Sequence, residues 1–509
     1  MKNQPFHSNT RGLGSHPVPA FFGKVSPSRS ISHEGDYGRL FRSLPPYDLD
    51  NGKTVEDLVE KIKILKDDEA TKSAETMPAA YISFGQLVAH DLTFDPTTIN
   101  QRGLDPDRTR NFRTPRFDLD CVYGRGPAVE PHLYSFSDSL KRGGVDSRGF
   151  YLDYEFRHRT VEANDPESVI KKFGPKANLK EADLPRNQYG IASIPDPRND
   201  ADVIISQLHL AIIKFHNKAM DYSLAHQQTG WAAFENARRI TRWHYQWVVL
   251  RDYLGRLTAG TKTSKGKLGP AIQTIEPEKY RAQLRDWGMT PRLYQYKKSP
   301  FLPIEFSAAV FRFGHSTARV RSQLNGYLPA MPQIAESGPS MQGGREIRRW
   351  HSVAWNWFLQ SRDNPLTQLS HPIGPHMSKT LSNLPHGIGS LAKRDIERSL
   401  ALALPSGQAI ARRLNVSTIW NSSYQDNLWY YILEEAKFNG NGGRRLGPVG
   451  ARIMIEVFVG ILESDPTSFL AENPSWHPHL GFGGLHFDLL SFLKVAEMPM
   501  TDDDVFEDA

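Results

Sequence analysis

Cysteine is nearly absent from this chain, since Cys121 is the only one among 509 residues. An intrachain disulfide framework is therefore excluded, and packing, assisted by a metal or a cofactor, must hold the fold. Long hydrophobic runs are missing too: "IMIEVFVGIL" is interrupted by Glu456 and is shorter than the roughly 18 apolar residues that span a bilayer. The start, "MKNQPFHSNTRGLGSHP", lacks the apolar stretch of a secretory signal. We expect a soluble protein without a membrane span, cytoplasmic or exported without a classical signal peptide.

An excess of one charge sign is also missing. The 62 lysines and arginines are nearly balanced by 56 aspartates and glutamates, and the formal net charge is +6. Such a mixed surface is not the basic footprint of a nucleic-acid-binding protein.

Strand-like alternation is scarce, and no repeat recurs at a fixed period. Helical spacing predicts helices at 201–225, 230–256, 305–320, 346–361, 391–403, 407–414, 424–437 and 449–463, with a charged surface helix within 51–70. The predicted class is mainly α, a large single domain with long irregular connections and little β structure. The predicted divisions are an extended or partly disordered arm over 1–45, a catalytic domain over 46–500 and an acidic tail over 501–509.

Three polar residues interrupt the apolar helix predicted in "YISFGQLVAHDLTFDP". Gln86 and His90 are four residues apart and share one face, whereas Asp91 points about 100° further round. Left buried without partners, each neutral group would cost roughly 1–3 kcal/mol. These residues therefore have partners or a function; for a lone histidine, a satisfied core position is the simpler interpretation.

The stretch "FRTPRFDLDCVYG" carries alternating polar residues whose oxygens can converge on one side of an extended loop: Thr114, Arg116, Asp118 and Asp120. Several hard oxygens, including two carboxylates, suit Ca²⁺, and Asp91 could add a third carboxylate. A half-exposed strand with solvated acids is the alternative interpretation.

Two further stretches contain candidate functional residues. "FSAAVFRFGHSTARV" places His315 at the end of an apolar helix, with Arg312 one turn earlier and Gly314 leaving room for a flat ligand. "SIPDPRNDADVIISQLHLAIIKFHNK" places Arg198 in a proline-rich turn before a long amphipathic helix, where a surface or capping role is the alternative.

Together these four stretches resemble the animal-type haem peroxidases of the peroxidase–cyclooxygenase superfamily, which includes myeloperoxidase, and in particular a bacterial-type member. "FGQLVAHDLTF" resembles the distal-histidine motif, "TPRFDLDCVYG" the calcium loop, "PRNDADVIISQLHLAIIKFHNK" the distal-arginine segment and "FRFGH" the proximal-histidine motif. The motifs occur in the family's order, and the resemblance covers roughly residues 35–490.

The resemblance implies a mainly helical haem peroxidase that binds haem b and Ca²⁺, reduces H₂O₂ and oxidises small organic reductants or halides, as in a response to oxidative stress. It makes His315 the proximal ligand of the haem iron, His90 the distal acid–base group and Arg198 its distal partner. Gln86 would hold a distal water or a halide. The implied calcium ligands are Asp91, Thr114, Arg116 through its carbonyl, Asp118 and Asp120.

This chain departs from the family pattern at several positions. Ala89 and Ala201 replace carboxylates that esterify haem, and Asp202 replaces a sulfur-linked residue, so we expect mainly non-covalent haem with Asp202 as a candidate haem contact. Asp395 replaces an asparagine that bonds to the proximal histidine, which would push His315 toward imidazolate and lower the iron potential. Arg312, a candidate haem contact, stands where fatty-acid dioxygenases carry a radical tyrosine, which disfavours that reaction.

Other functions stay open at this point. A catalytically degenerate family member could serve as a haem- or calcium-binding interaction protein, although a scaffold has no chemical need for His90, Arg198 and His315 together. A histidine-ligated zinc hydrolase lacks the H-E-x-x-H spacing. The sequence does not reveal the reductant, the use of halides or the oligomeric state.

Overall fold

The structure is a computed structural model. It describes residues 35–49, 52–69, 76–94, 110–136, 150–152, 155–160, 178–258, 262–263, 266–267, 293–296, 300–335, 339–347, 351–359, 366–384, 389–416, 419, 427–481 and 483–505. Most of the predicted N-terminal arm and the last residues of the predicted acidic tail lie outside these ranges. The predicted domain boundaries therefore stay predictions.

Helices dominate the described residues, as the sequence predicts. The first are α1 (Val55–Val59), α2 (Ala80–Leu92), α3 (Asp120–Tyr123), α4 (Val203–Ala225), α5 (Gly230–Trp247), α6 (Leu254–Thr258), α7 (Ile304–Ala308) and α8 (Gly314–Thr317). The remainder are α9 (Asn356–Leu359), α10 (Lys379–Ser382), α11 (Leu391–Ala401), α12 (Gly407–Leu414), α13 (Leu428–Asn439), α14 (Pro448–Ser464), α15 (Phe469–Glu472) and α16 (Leu489–Val495). No described helix combines the length and the apolarity needed to cross a bilayer.

The strands are short, which agrees with the scarcity of alternating sequence. They are β1 (Gly35–Gly38), β2 (Lys63–Leu65), β3 (Arg110–Asn111), β4 (Tyr134–Phe136), β5 (Phe150–Leu152), β6 (Glu155–Thr160), β7 (Asn178–Asp183), β8 (Lys262–Thr263), β9 (Gly266–Lys267), β10 (Leu302–Pro303), β11 (Arg321–Ser322), β12 (Met331–Pro332) and β13 (His376–Ser378). Strand β1 lies between β10, to which it is parallel, and β3, to which it is antiparallel. The other described pairs are β11–β12, β2–β13, β4–β5, β6–β7 and β8–β9.

The longest predicted helices agree with the structure, because continuous apolar periodicity specifies them. Helix α4 begins where the Asp202 carboxylate accepts hydrogen bonds from the backbone N–H groups of Ile204 and Ile205, a normal N-cap arrangement. Helix α14 begins with Pro448 at its first turn, and the buried Glu435 carboxylate accepts from the Val449 N–H. Helix α12 has the predicted bounds.

Two predicted helices are wrong over much of their length. Over 305–320 the chain forms α7, a 3-10 turn (Val310–Phe313) and α8, and the Arg312 Nε donates to the Ser307 carbonyl at 3.1 Å, which draws that oxygen away from regular helix bonding. Within 346–361 the structure describes residues 346–347 and 351–359, and α9 is the one α-helix among them. The backbone N–H groups of Trp355 and Asn356 bond to Pro499 and Met500 near the C-terminus, so long-range pairing replaces the helical bonds there.

The segment 51–70 also differs from its predicted single surface helix. Helix α1 ends at Val59, and strand β2 then pairs with β13 in parallel. Helix α1 is capped by Thr54, whose hydroxyl accepts from the Asp57 N–H while the Asp57 carboxylate accepts from the Thr54 N–H.

One continuous apolar cluster fills the centre of the described chain and extends from Tyr37 to Met498. Helix α2 packs on α4 and also meets α8, so the predicted distal and proximal elements are neighbours. Helix α14, almost wholly buried, packs against α13 and α7 and supports the proximal side from behind.

A π-helical turn (Val248–Tyr253) between α5 and α6 braces the buried side of α2. The Tyr81 hydroxyl donates to the Asp252 carboxylate at 2.5 Å, and the same carboxylate accepts from Arg256. Tyr253 packs so closely on α2 that a Cβ atom at Gly85 would overlap its hydroxyl. Gly85 is therefore required for contact between the π turn and α2.

We expect Gly85→Ala to lower the free energy of unfolding by about 1–3 kcal/mol, because the added methyl overlaps Tyr253. Helix propensity alone would favour alanine by up to about 1 kcal/mol, so the two effects have opposite signs. Urea unfolding measures the difference. Adding Tyr253→Phe removes the overlapping hydroxyl and should recover part of the loss; a stabilised Gly85→Ala variant would contradict the packing argument.

Candidate active site

His90 lies in the last turn of α2 and is fully buried. Its Nδ1 is 2.9 Å from the Asn199 Oδ1. Burial, reinforced by the charge of Arg198, lowers the pKa of His90 to about 3. The imidazole is therefore neutral near pH 7 and carries one proton and one lone pair, which an acid–base group requires.

The 3-10 turn Pro197–Asp200 brings Arg198 and Asn199 beside the end of α2. Asp196 caps this turn by accepting from the Arg198 N–H, and Pro197 suits its first position. The Arg198 Nη2 donates to the His90 carbonyl oxygen at 3.0 Å, and the guanidinium lies 4.7 Å from the centre of the Phe94 ring. The sequence-predicted pair of His90 and Arg198 is thus brought together.

Asp196 holds two arginines at once. Its carboxylate accepts from Nε and Nη2 of Arg198 at 3.0 and 2.7 Å, and from Nη2 of Arg113 at 2.6 Å. All three side chains are buried. Burial would favour the neutral acid, but the charges of Arg198 and Arg113 outweigh it and hold the pKa of Asp196 well below its usual value.

A second buried ion network holds the other end of the turn. Arg186 donates to both oxygens of Asp200 and both oxygens of Asp183. The Gly344 N–H donates to the Asp200 carbonyl, and a Cβ at Gly343 would overlap that carbonyl oxygen. Ion networks on both sides thus fix the turn.

The predicted metal-binding acids converge. One carboxylate oxygen from each of Asp91, Asp118 and Asp120 lies within 4.8 Å of the others. The Thr114 hydroxyl donates to Asp118 at 2.8 Å. Among the described residues this is the one group of three or more His, Cys, Asp or Glu that could hold a metal ion. It contains no histidine, so the described residues do not support a histidine-ligated zinc hydrolase.

The electrostatics of these acids fit a hard cation. Burial and the neighbouring charges of Asp118 and Asp120 raise the pKa of Asp91 well above its usual value, and burial raises that of Asp120 to about 7. Neither Asp91 oxygen accepts a hydrogen bond of good geometry from a described residue, although the Tyr245 hydroxyl lies near enough to interact. Asp91 is buried and Asp118 and Asp120 are partly buried. Three such carboxylates that repel one another are arranged as ligands of a divalent cation would be.

Arg116 contributes its backbone, not its side chain, to this region. Its guanidinium points to Asp465, with Nη1 3.6 Å from Oδ1, and its N–H donates to the Thr114 carbonyl. The predicted extended loop is instead a series of bends that ends in Leu119, whose φ of 59° is left-handed. That bend, not strand alternation, brings Asp118 and Asp120 together.

The acid cluster is connected to α2 and to Asp196 by two buried residues. The Asn111 side chain accepts from the Phe94 N–H and donates to the Leu92 carbonyl, which joins the end of α2 to β3. The Arg113 Nη1 lies 3.5 Å from an Asp120 oxygen while its Nη2 bonds to Asp196. A side chain of the acid cluster therefore connects to the turn that carries Arg198.

On the other side of the site, His315 pairs with Asp395, the partner expected from the sequence. The His315 Nδ1 is 2.5 Å from an Asp395 oxygen, and Arg398 donates to the second oxygen at 2.8 Å. Burial opposes ionisation of Asp395, but the charges of His315, Arg398 and Arg312 prevail and lower its pKa. The carboxylate is thus an anion that orients the ring.

Partly accessible residues occur on both helices that carry the two histidines. Helix α2 is buried except for Ile82, Gln86 and Ala89, which lie on one face, and in α8 Gly314 and His315 are also partly accessible. A Cβ atom built on Gly314 meets nothing within 4 Å. The glycine therefore opens onto space beside His315, which satisfies the fit expected for a flat cofactor.

Asp202 and Arg312, the two candidate haem contacts, have other partners in the structure. Besides capping α4 with Oδ1, Asp202 accepts from the Gln333 side chain with Oδ2 at 3.3 Å, and burial raises its pKa to about 6. Arg312 is buried and bonds to Ser307. Their roles as haem contacts stay predictions.

Sequence reasoning missed three residues: Asn199, Asp196 and Arg113. Asp196 had a detectable signal, because Asp-Pro before a short turn is typical of an N-cap. Asn199 and Arg113 had none, since their partners lie 109 and 83 positions away in the chain.

Comparisons with known proteins support one family. The family model described as animal haem peroxidase matches residues 98–327, which include Arg198, His315 and the acids after Thr114. Human thyroid peroxidase is 24% identical over 227 residues, which are 43% of this chain and 20% of that protein. The chain thus spans about a fifth of that relative's length.

A solved peroxidase structure shares the fold of this chain. Peroxidase A from Dictyostelium discoideum superposes with a TM-score of 0.56 at 14% identity, covering 98% of this chain and 99% of that one. A fatty acid alpha-dioxygenase from Arabidopsis thaliana gives 0.47 at 13% identity, covering 98% and 83%. The family match over residues 98–327, together with the helical fold shared with a peroxidase, supports the peroxidase–cyclooxygenase superfamily for this chain.

Proposed function

We propose that this protein is a haem peroxidase that reduces H₂O₂ and oxidises small organic reductants or halides. One observation carries the proposal: a buried, neutral His90 on α2 and an Asp395-anchored His315 on α8 lie on packed neighbouring helices. A scaffold protein has no chemical need for this combination.

The haem would lie in the accessible space beside Gly314. Because Asp395 engages the His315 Nδ1, Nε2 is the nitrogen that would coordinate iron. When bound, haem supplies the redox chemistry that peroxide reduction and substrate oxidation require. Asp395 would increase electron donation by the His315 ring, and Arg398, bonded to the same carboxylate, would moderate that effect.

His90 would transfer a proton from one oxygen of H₂O₂ to the other. A neutral imidazole can accept a proton from one peroxide oxygen and deliver it to the departing one. Arg198 would favour negative charge on the departing oxygen, and its bonds to Asp196 and His90 use Nε and Nη2, so Nη1 is the nitrogen for that task. Asp196 offsets part of the guanidinium charge of Arg198. We therefore expect Arg198 to stabilise the departing oxygen less than an isolated arginine would.

Gln86 would hold a water or a halide near His90, since both lie on α2 and Gln86 is partly accessible. Arg312, at the position of the dioxygenases' radical tyrosine, is buried and bonded to Ser307. A guanidinium cannot form that radical, so oxygenation of fatty acids by this route is disfavoured.

The test of the proposal is the absorption spectrum of the haem-reconstituted protein within milliseconds of adding H₂O₂. We expect a rapid change in the wild type and a change about 10²–10⁴-fold slower in His90→Gln, the range that general acid–base catalysis contributes. His244→Gln, a buried histidine in another part of the core, is the matched control and should react normally. A wild type that binds haem but ignores peroxide would favour a haem-binding protein instead.

Asp395→Asn should raise the reduction potential of the bound haem, because a neutral amide draws less proton density from the His315 Nδ1 than a carboxylate does. Arg398→Met should change the potential in the opposite direction, since it removes the cation that shares Asp395. Spectroelectrochemical titration measures both. Equal potentials in all three proteins would refute the proposed role of Asp395.

We expect haem to be released by acid–organic extraction. Ala89 and Ala201 cannot form ester bonds, and both Asp202 oxygens already accept hydrogen bonds. Recovery of the porphyrin in the organic phase, free of protein, is the expected result. Haem that remains on the protein in the wild type but not in Asp202→Ala would identify Asp202 as a covalent link.

Calcium would be bound by Asp91, Thr114, Asp118, Asp120 and the Arg116 carbonyl, and would fix the end of α2. We expect chelation to weaken peroxidase turnover and to lower the melting temperature, with both restored by Ca²⁺; at 100 times Kd the ion adds about 2.7 kcal/mol. Asp118→Asn should abolish the response, whereas Asp183→Asn, a buried acid of the Arg186 network, should retain it. Full turnover after removal of a demonstrated calcium would contradict this coupling.

A further inference from the structure

A buried hydrogen-bonded chain runs from His90 away from the accessible side of α2. The His90 Nδ1 is 2.9 Å from the Asn199 Oδ1, and the Asn199 Nδ2 is 3.0 Å from the His209 Nδ1. All three side chains are at most 1% exposed, so water cannot readily replace these bonds. His209 lies on α4, and the chain therefore joins α2, the Pro197–Asp200 turn and α4.

This chain determines which nitrogen of His90 carries the proton. An amide oxygen only accepts, so the His90 Nδ1 must be the protonated nitrogen and its Nε2 must carry the lone pair. An amide nitrogen only donates, so the His209 Nδ1 must accept. Both imidazoles are at most 1% exposed and each bonds through Nδ1 to a neutral amide, an environment that favours uncharged rings, so each ring has one tautomer to select.

The asparagine is itself held firmly. Its N–H donates to the Asp196 carbonyl at 3.0 Å. On one side is Arg198, bonded to Asp196, and on the other is Asp200, bonded to Arg186. A side-chain amide between two ion networks has little freedom to turn over, and His209 selects its orientation by offering a lone pair to Nδ2.

We propose that Asn199 is a positioning residue that locks His90 in the Nδ1–H tautomer, with His209 fixing the orientation of the Asn199 amide. With the proton held on Nδ1, the His90 Nε2 keeps its lone pair and can act as a base. This inference rests on the proposed peroxidase function for its consequence, but the tautomer itself is a property of the chain. With the opposite tautomer, His90 would present an N–H and could not accept the proton of a peroxide.

The first measurement is ¹⁵N NMR of the full chain labelled at histidine, as purified and after filling with zinc protoporphyrin, a diamagnetic analogue of haem. His90→Gln identifies the His90 signals. We expect a pyrrole-type Nδ1 and a pyridine-type Nε2 in the wild type and in Asn199→Asp, which keeps an acceptor oxygen. Asn199→Leu, similar in size but without polar atoms, should lose this pattern.

The second measurement is the rate constant of the haem-reconstituted protein with H₂O₂. We expect the rate constant of Asn199→Leu to be lower by roughly tenfold or more, because part of the acid–base rate enhancement by His90 would be lost. Asn199→Asp should recover most of the rate. Asn325→Leu is the matched control, because Asn325 is equally buried and bonds to Ser352 and Tyr327. It should react like the wild type.

Three outcomes would overturn the lock: a wild-type His90 protonated at Nε2, an Asn199→Leu variant with an unchanged tautomer, or a slow Asn199→Leu variant that Asn199→Asp does not rescue. If Asn199→Leu does not fold, His209→Leu removes the acceptor that orients the amide, and a wild-type tautomer in that variant would remove His209 from the proposal. If the wild type binds no haem, the proposed function fails while the NMR result still decides the tautomer.

Discussion

The arrangement of the candidate site depends on one buried anion, the carboxylate of Asp196. It lies between the guanidinium groups of Arg113 and Arg198, and Arg113 also approaches Asp120. Removing one member of a buried ion pair costs about 3–5 kcal/mol, since the remaining charge is left in a medium of low polarity. The acid cluster and the turn that carries Arg198 and Asn199 are therefore parts of one electrostatic unit.

The two histidines of the site are similar rings in different electrostatic surroundings. The Nδ1 of His90 faces a neutral amide, and a cation lies nearby; the Nδ1 of His315 faces an anion. A neutral partner keeps an imidazole weakly basic, whereas a carboxylate enriches its electron density. This asymmetry suits a proton carrier on one side and a metal ligand on the other, which is the division of tasks in the proposed function.

Much of the site could be predicted from the sequence because its key residues occur in short motifs. Helical spacing predicts that Gln86 and His90 share a face and that Asp91 points elsewhere, and alternation predicts that the acids after Thr114 share one side of a loop; their roles are what the family resemblance implies. Two kinds of error have physical causes. Within 346–361 the backbone N–H groups of Trp355 and Asn356 bond to the distant residues Pro499 and Met500, so local periodicity misleads there. The bonds of Arg113 to Asp196 and of Asn199 to His90 join residues 83 and 109 positions apart, and a local pattern cannot contain them.

The π-helical turn of Val248–Tyr253 has a geometric consequence for α2. In a wider turn, successive side chains diverge by a smaller angle than in an α-helix, so Asp252 and Tyr253 can both reach α2, one at Tyr81 and the other at Gly85. Those contacts lie about one and a half to two and a half turns before His90 on the same helix. A single-residue deletion in the π turn would restore ordinary helical winding and rotate one of these two side chains away, so the chain length between α5 and α6 sets which side chains brace the helix that carries His90.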